Sequence, residues 1–167
     1  MSLSLDRVKE LFRYVPEEGA IYWRDDLKSF HRPYAGKKAG GFCRSKNGYG
    51  RLIVRVDRQM QSVHRIIWLM HYGELPSGII DHADGDTRNN RIENLRIATK
   101  AQNAANRGAP KTNPLGIKGV RKMGKRFAAK IRVNYREMYL GMFDTAEAAS
   151  AAYAKAAKEH FGEFAKN

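Results

Sequence analysis

A dense group of side chains that could bind a metal ion and transfer protons runs from Asp81 to Leu95. It begins with the pair Asp81-His82, continues through a loop rich in Asp and Asn, and is followed by Asn103. At the end of a strand, adjacent side chains point to opposite faces, so one of the pair could hold a metal while the other meets a water molecule. Carboxylate and amide oxygens suit a hard cation such as Mg²⁺, and histidine can accept a proton near neutral pH. This combination suits metal-assisted hydrolysis of a phosphodiester.

Two short strands and a helix are expected to position these groups. The apolar stretches from Ile79 to His82 and from Leu95 to Ala98 are interpreted as paired strands on either side of the polar loop. Thr99 and Gln102 have the spacing of a capping box, which predicts that a helix carrying Asn103 begins there. The predicted order is therefore strand, loop, strand, helix.

The same residues resemble the HNH endonuclease motif in its His-Asn-Asn form, as found in free-standing phage and bacterial enzymes of the homing type. The likeness covers about residues 5–107 and includes Val63-His64-Arg65 upstream of the motif. In that family the fold is a ββα-metal finger. The resemblance therefore implies the following roles: a general base at His82, ligands of one divalent metal at Asp81 and Asn103, and a structural residue at Asn94 that braces the loop holding His82. With Asn at the third position, the resemblance favours Mg²⁺ or Mn²⁺ over Zn²⁺.

The second half of the chain carries a strongly basic segment. From Lys111 to Arg136 there are nine basic residues and no acidic one. Alternation from Arg126 to Val133 predicts a strand that places its basic side chains on one face, a plausible surface for reading DNA. Three predicted strands followed by an alanine-rich helix indicate a small α+β unit.

This segment resembles the apetala-two/ethylene-response-factor DNA-binding domain over residues 116–162. The likeness rests on Gly119-Val-Arg121, on the run from Gly124 to Arg132 and on the run from Tyr139 to Tyr153. The resemblance assigns contacts in the major groove of double-stranded DNA to four basic residues: Arg121, Arg126, Lys130 and Arg132.

Composition excludes several classes of protein. The chain has 167 residues and a net charge of +14, and 43% of its residues are hydrophobic, so we expect a folded protein with a polyanionic partner. No apolar run approaches the ~20 residues of a membrane span, and the charged N-terminus does not resemble a secretory signal. One cysteine, Cys43, cannot form an internal disulfide or a Cys₄ zinc site. The cysteine count favours a reducing, cytoplasmic setting, and the resemblance to HNH enzymes implies that this is the cytoplasm of a bacterial or phage-infected cell.

Glycine and proline between Gly108 and Pro114 predict a linker, which divides the chain into three parts. These are a nuclease domain at 1–107 with its motif core at 79–107, a linker at 108–115, and a DNA-binding domain at 116–167. The overall hypothesis is an α+β DNA endonuclease of the HNH homing type, with no obligate protein partner inferred. Two alternatives stay open: a catalytically inactive DNA-binding regulator, and an RNA-binding or ribosome-associated protein, which explains only the charge.

Overall fold

A computed structural model describes residues 3–45, 49–110 and 112–166, without the side chains of residues 29 and 30. The turn predicted at Asn47-Gly48 and the start of the basic segment at Lys111 lie outside the described residues. The chain divides into two compact units, Met1–Ile97 and Ala98–Asn167. In the described ranges, no helix has both the length and the apolar character needed to cross a membrane.

The first unit opens with a helix that is shorter than the sequence pattern suggests. Helix α1 spans Leu5–Leu11, and the Ser4 side chain caps it by accepting a hydrogen bond from the Arg7 amide, as predicted. In the sequence, Val8, Leu11, Phe12 and Val15 fall at helical spacing, which predicts a helix through all four. Phe12 and Val15 lie instead in strand β1 (Phe12–Val15). Strand β1 pairs antiparallel with β2 (Ala20–Trp23). The aromatic and β-branched side chains of β1 favour a strand, and Pro16 disfavours a helical conformation for the residue before it.

Two further strands lie where the sequence indicated a basic loop at residues 24–46. Strand β3 (Lys38–Ala39) extends the sheet of β1 and β2, and β4 (Gly41–Arg44) begins a second sheet. This second sheet has the order β4-β5-β6, with β5 at Gly50–Val56 and β6 at Gln59–Ser62. All four residues of β4 are exposed, so no apolar alternation marks the strand in the sequence.

The second sheet has one buried and one exposed face, as the alternation of β5 predicted. Val54 and Val56 are buried in the core. On the other face, Cys43 lies opposite Arg51 and Met60 lies opposite Arg55. The turn between β5 and β6 uses positive φ angles at Asp57 (46°) and Arg58 (68°), the pair of conformations that a two-residue hairpin needs. We call this face the arginine face, and define it by four exposed residues and the half-buried Ile53 between them: Cys43, Arg51, Ile53, Arg55 and Met60.

Helix α2 (Val63–Tyr72) fills the centre of the first unit. It buries Ile66, Ile67 and Leu69 against α1 and the two three-stranded sheets, and it ends at Gly73 in a left-handed conformation. Strands β7 (Ile79–His82) and β8 (Leu95–Ala98) follow and form a two-stranded sheet, as predicted. The polar loop connects them.

The second unit begins at the end of β8 and contains a three-stranded antiparallel sheet with a helix packed on it. Helix α3 starts with the predicted capping box of Thr99 and Gln102. The spacing of Asp144 and Glu147 in the sequence predicts a capping box with Asp144 as the cap of helix α4. The cap is instead the Thr145 hydroxyl, which accepts from the Ala148 amide at 3.1 Å. Thr145 is the residue with extended backbone just before the first helical turn, so its side chain reaches the free amides. The elements are α3 (Lys100–Ala105), β9 (Val120–Met123), β10 (Arg126–Val133), β11 (Arg136–Phe143) and α4 (Ala146–Phe161), with sheet order β11-β10-β9.

The core of this unit joins the inner face of the sheet to α4. Ile131 packs against Tyr153 and the alanines that follow it on the helix. Gly119 has a φ of +70°, and a Cβ there would collide with the Tyr153 ring. The small side chains of α4 therefore let the helix approach the sheet closely, and both units together make an α+β protein with small antiparallel sheets.

Candidate active site

His82 lies at the end of β7 with only 6% of its surface exposed. Its Nε2 atom is 2.9 Å from Oδ1 of Asn90, a residue that is fully buried. Asn90 uses its Nδ2 group to donate to the Arg88 carbonyl at 3.2 Å, which directs Oδ1 toward the imidazole. Because an amide oxygen only accepts hydrogen bonds, the proton of neutral His82 lies on Nε2 and the lone pair on Nδ1.

A second histidine contacts the first. The rings of His64 and His82 meet edge to face, with centroids 5.2 Å apart at 87°. Burial, reinforced by the positive charges of His82, Arg51 and Arg65, lowers the pKa of His64 to about 3. His64 is therefore neutral at neutral pH. Sequence reasoning treated His64 as a core or surface residue; its place in the Val63-His64-Arg65 lead-in was the signal that it stands near the motif.

Asn94 connects both ends of the polar loop. Its Oδ1 accepts from the Asp84 amide at 3.0 Å, and its Nδ2 donates to the Asp84 carboxylate at 3.0 Å and to the Asn89 carbonyl at 2.7 Å. The backbone adds a bond from the Ala83 amide to the Asn94 carbonyl at 2.8 Å. These contacts hold the residues that directly follow His82, which is the geometry that a bracing residue requires.

The Asp84 carboxylate organises the same loop from the other side. Burial would raise its pKa, but hydrogen bonds from Asn89, Asn94 and the Asp86 amide outweigh burial and lower the pKa below its usual value. Asp84 is therefore an ionised acceptor that closes the turn at Gly85. Its oxygens are used within the loop, in line with the expectation that Asp84-Gly85 is a turn.

Asp81, the predicted metal ligand on β7, lies beside an arginine. Only 6% of its side chain is exposed, and its Oδ2 atom is 3.2 Å from Nε of Arg96 on β8. A buried carboxylate needs a compensating charge, and Arg96 supplies one across the two-stranded sheet. Sequence reasoning missed Arg96; its place in the second predicted strand was the available signal.

The donor chemistry of the predicted metal site fits a hard cation. The two residues predicted to bind a metal carry oxygen atoms, a carboxylate in Asp81 and an amide in Asn103, and Mg²⁺ and Mn²⁺ accept such atoms more readily than Zn²⁺ does. Asp81 belongs to the first compact unit, whereas Asn103 lies half-buried on α3 in the second. Within the part of the chain that the structure describes, no group of three or more His, Cys, Asp or Glu side chains could hold a metal.

The four basic residues predicted to contact DNA are all exposed on the sheet of the second unit. Arg121 lies opposite Ala128, on the face that Lys130 and Arg132 share. Two of the four form ion pairs: Arg126 with Asp144 at 2.8 Å and Lys130 with Glu137 at 2.7 Å. We call the set the basic face; its members are Arg121, Arg126, Lys130 and Arg132.

Comparison with known proteins identifies the class of the site. Residues 61–105, from β6 through α3, match the model of the HNH endonuclease family. The chain therefore contains an HNH endonuclease domain, and this domain includes Asp81, His82, Asn94 and Asn103.

Two known proteins are similar to this chain, one over most of its length and one over about a third of it. A protein of Acanthamoeba polyphaga mimivirus described as an uncharacterized HNH endonuclease is 37% identical over 123 residues, which is 72% of this chain and 62% of the relative. Protein 3.8 of Escherichia phage T7 is 40% identical over 58 residues, 34% of this chain and 48% of the relative. The chain thus spans less than two thirds of either relative. No solved structure matches.

Proposed function

We propose that the protein is a DNA endonuclease of the HNH homing type that hydrolyses phosphodiester bonds with one divalent metal and a histidine general base. The observation that carries the proposal is the hydrogen bond between His82 and Asn90, which leaves Nδ1 of the ring as its basic atom. This imidazole follows directly on the buried carboxylate of Asp81 within the matched domain. A net charge of +14 adds a reason to expect a polyanionic substrate.

His82 accepts the proton of the attacking water at Nδ1. Asn90 keeps the ring in the tautomer that makes this possible, and His64 packs against the ring without adding a charge that would oppose protonation. Asn94 holds the loop after His82, so the imidazole keeps its orientation when substrate arrives. General-base catalysis of this kind contributes about 10²–10⁴-fold to a rate.

Asp81 and Asn103 would hold the metal, with Mg²⁺ favoured and Mn²⁺ as the alternative. A bound divalent cation stabilises the charge that develops on phosphoryl and leaving oxygens. Asp81 is held rigidly on β7 by Arg96, which orients its carboxylate. The roles assigned to β7, β8 and α3 are those of a ββα-metal arrangement.

The basic face would bind double-stranded DNA, as the resemblance of residues 116–162 to the apetala-two domain suggests. Exposure of all four side chains supports this role. Arg126 and Lys130 would exchange their carboxylate partners for phosphates on binding. The division into a nuclease domain at 1–107, a linker at 108–115 and a DNA-binding domain at 116–167 belongs to the same proposal, as does a location in the cytoplasm of a bacterial or phage-infected cell, which the phage relative favours.

Incubation of the full-length protein with supercoiled plasmid and Mg²⁺ or Mn²⁺ tests the activity. We expect nicked or linear product, and a loss of about 100-fold or more in the single-turnover rate for His82→Ala, with DNA affinity retained. His71→Ala, which removes an exposed histidine from α2, is the matched control and should cleave like the wild type. No cleavage by the wild type would favour the DNA-binding regulator instead. A His82→Ala variant within tenfold of the wild-type rate would remove His82 from the base role.

A further inference from the structure

The first unit contains an open cleft that the proposed mechanism does not use. The cleft has a volume of about 730 Å³, within the range of roughly 300–1,000 Å³ typical of small-molecule sites. One wall comes from β2 and the segment before β3, and the other from β5 and the turn after it. The first wall is aromatic, and three cationic side chains join the lining: Lys38, Arg55 and Arg58.

The aromatic wall is a stack with one accessible ring. Trp23 is buried and packs against His31, with centroids 5.5 Å apart and ring planes 26° apart. Tyr34 lies on the same indole at 5.4 Å and leaves 46% of its surface exposed. Trp23 thus packs against both rings, and Tyr34 is the more exposed of the two rings that lie on it.

The cleft attracts anions. Lys38, Arg55 and Arg58 are exposed at its rim. Among the described residues that line it, the acidic side chain is Asp57, whose two oxygens accept from Arg7 at 2.9 and 2.7 Å. Arg7 neutralises Asp57, and Lys38 lies 3.3 Å from the Glu18 carboxylate, so the net positive charge of the lining comes mainly from Arg55 and Arg58.

The arginine face connects this cleft with the candidate active site. Arg55 lines the cleft, and Arg51 lies four residues earlier on the same face of β5, about 13 Å away along the strand. The charge of Arg51 contributes to the lowered pKa of His64, and the His64 ring contacts His82. A strand of nucleic acid bound along β5 from Arg55 to Arg51 would therefore run from the cleft to the arginine whose charge acts on His64.

We propose that the cleft receives one unpaired nucleotide of the DNA held by the first unit, with the base stacked on Tyr34 and the phosphate bound by Lys38, Arg55 and Arg58. The inference rests on the proposed function for the identity of the polymer. The combination of an exposed aromatic ring and clustered cations is what single-stranded nucleic acid recognises, since every base has a face that can stack and every nucleotide a phosphate. Gly41 leaves room for the base, because a Cβ there would meet no atom within 4 Å.

The experiment compares two fluorescent DNA hairpins that differ by one bulged thymidine, titrated with full-length protein in EDTA and read by anisotropy. EDTA separates binding from cleavage. We expect the bulged hairpin to bind about 5- to 150-fold more tightly, the range that stacking of one base on an aromatic ring provides. Tyr34→Ala should abolish the preference, and Tyr34→Phe should retain it because the ring remains.

Three further variants test the cleft itself. Gly41→Leu places a side chain in the cleft without removing any group that binds the nucleotide, and it should abolish the preference. Arg55→Ala should reduce it, whereas Lys9→Ala, which removes an exposed charge from α1, should leave it unchanged. Thermal unfolding confirms that each variant is folded.

The outcomes separate the two hypotheses. Equal affinity of the wild type for both hairpins would overturn the cleft assignment and leave the endonuclease proposal standing. An undiminished preference in folded Tyr34→Ala and Gly41→Leu would do the same. A wild type that binds neither hairpin would overturn DNA binding itself, and the cleft assignment with it.

Discussion

Three neighbours of His82, two asparagines and a histidine, support the role assigned to it. Asn90 sets which ring nitrogen carries the proton, His64 closes one side of the ring, and Asn94 holds the loop that follows. None of these neighbours is charged at neutral pH. The imidazole is therefore oriented by hydrogen bonding and by packing against a neutral ring.

His64 makes stability depend on pH. Its pKa is about 3 in the folded protein and about 6.5 in an unfolded chain, so between these values the unfolded state binds the extra proton. The free energy of unfolding should therefore be complete above pH 6.5 and fall as the pH drops toward 3, by about 2 kcal/mol from this residue at pH 5. Urea unfolding of wild type and His64→Phe at pH 7.5 and pH 5 measures the difference.

The phenylalanine variant keeps a buried ring and removes the titrating group, so it should lose less stability than the wild type between the two pH values. A His64→Asn variant, which also does not titrate, serves as the control and should show the same reduced dependence. An identical loss in all three proteins would show that other groups cause the acid sensitivity.

At the scale of whole elements, the arginines of β9 and β10 are expected to bind DNA in two ways, by neutralising phosphates and by reading bases. Replacing both Arg121 and Arg132 with Ala in the full chain should reduce the slope of log K against log salt by about 0.9 for each phosphate that the variant no longer neutralises. If either arginine reads guanine, its removal costs about 1–3 kcal/mol of discrimination between target and random duplex. Binding curves on both duplexes at several salt concentrations measure the two effects.

Lys122→Ala is the matched control for this pair. Lys122 is exposed on β9 but lies opposite Phe127, so it alternates to the other face from Arg121. The Lys122→Ala variant should therefore keep the preference for target over random duplex. If the double arginine variant keeps the salt slope and the preference for target duplex, the basic face does not read DNA. The arginine face of β5 would then be the better candidate.

For the molecule as a whole, metal binding and DNA binding should be separable. EDTA should stop cleavage and leave DNA affinity intact, because the contacts to DNA come mainly from basic side chains. Asp81→Asn and Asn103→Ala should each raise the Mg²⁺ concentration needed for half-maximal cleavage or abolish cleavage, with the larger effect at Asp81 because that substitution removes a charge. Cleavage rates across a Mg²⁺ series give the comparison.

Asp81→Asn is preferred to alanine here because it keeps a hydrogen-bond acceptor for Arg96. An unchanged metal requirement in both variants would place the metal elsewhere, and cleavage in EDTA would reject the metal mechanism. DNA affinity measured in EDTA checks that each variant still binds.

The sequence alone predicted those helices and strands that carry a clear signal within their own residues. The alternation of β5, the capping box of Thr99 and Gln102, and the extent of β10 are local signals, and the structure confirms them. Strand β1 was missed because its apolar residues also fit a helical spacing, and β4 was missed because all four of its residues are exposed, so no apolar alternation marks it. The candidate site was also predicted only in part: His82 could be named from its motif, but the orientation of its ring depends on Asn90, eight residues away across a loop.

Cys43 allows the protein to be labelled at one position. It is the single cysteine in the sequence, it is exposed on β4, and it lies directly opposite Arg51 on the arginine face. A maleimide dye would therefore attach at one known position of the unmodified chain. Energy transfer from that dye to an acceptor on a labelled oligonucleotide would report, in real time, when a strand arrives beside β5.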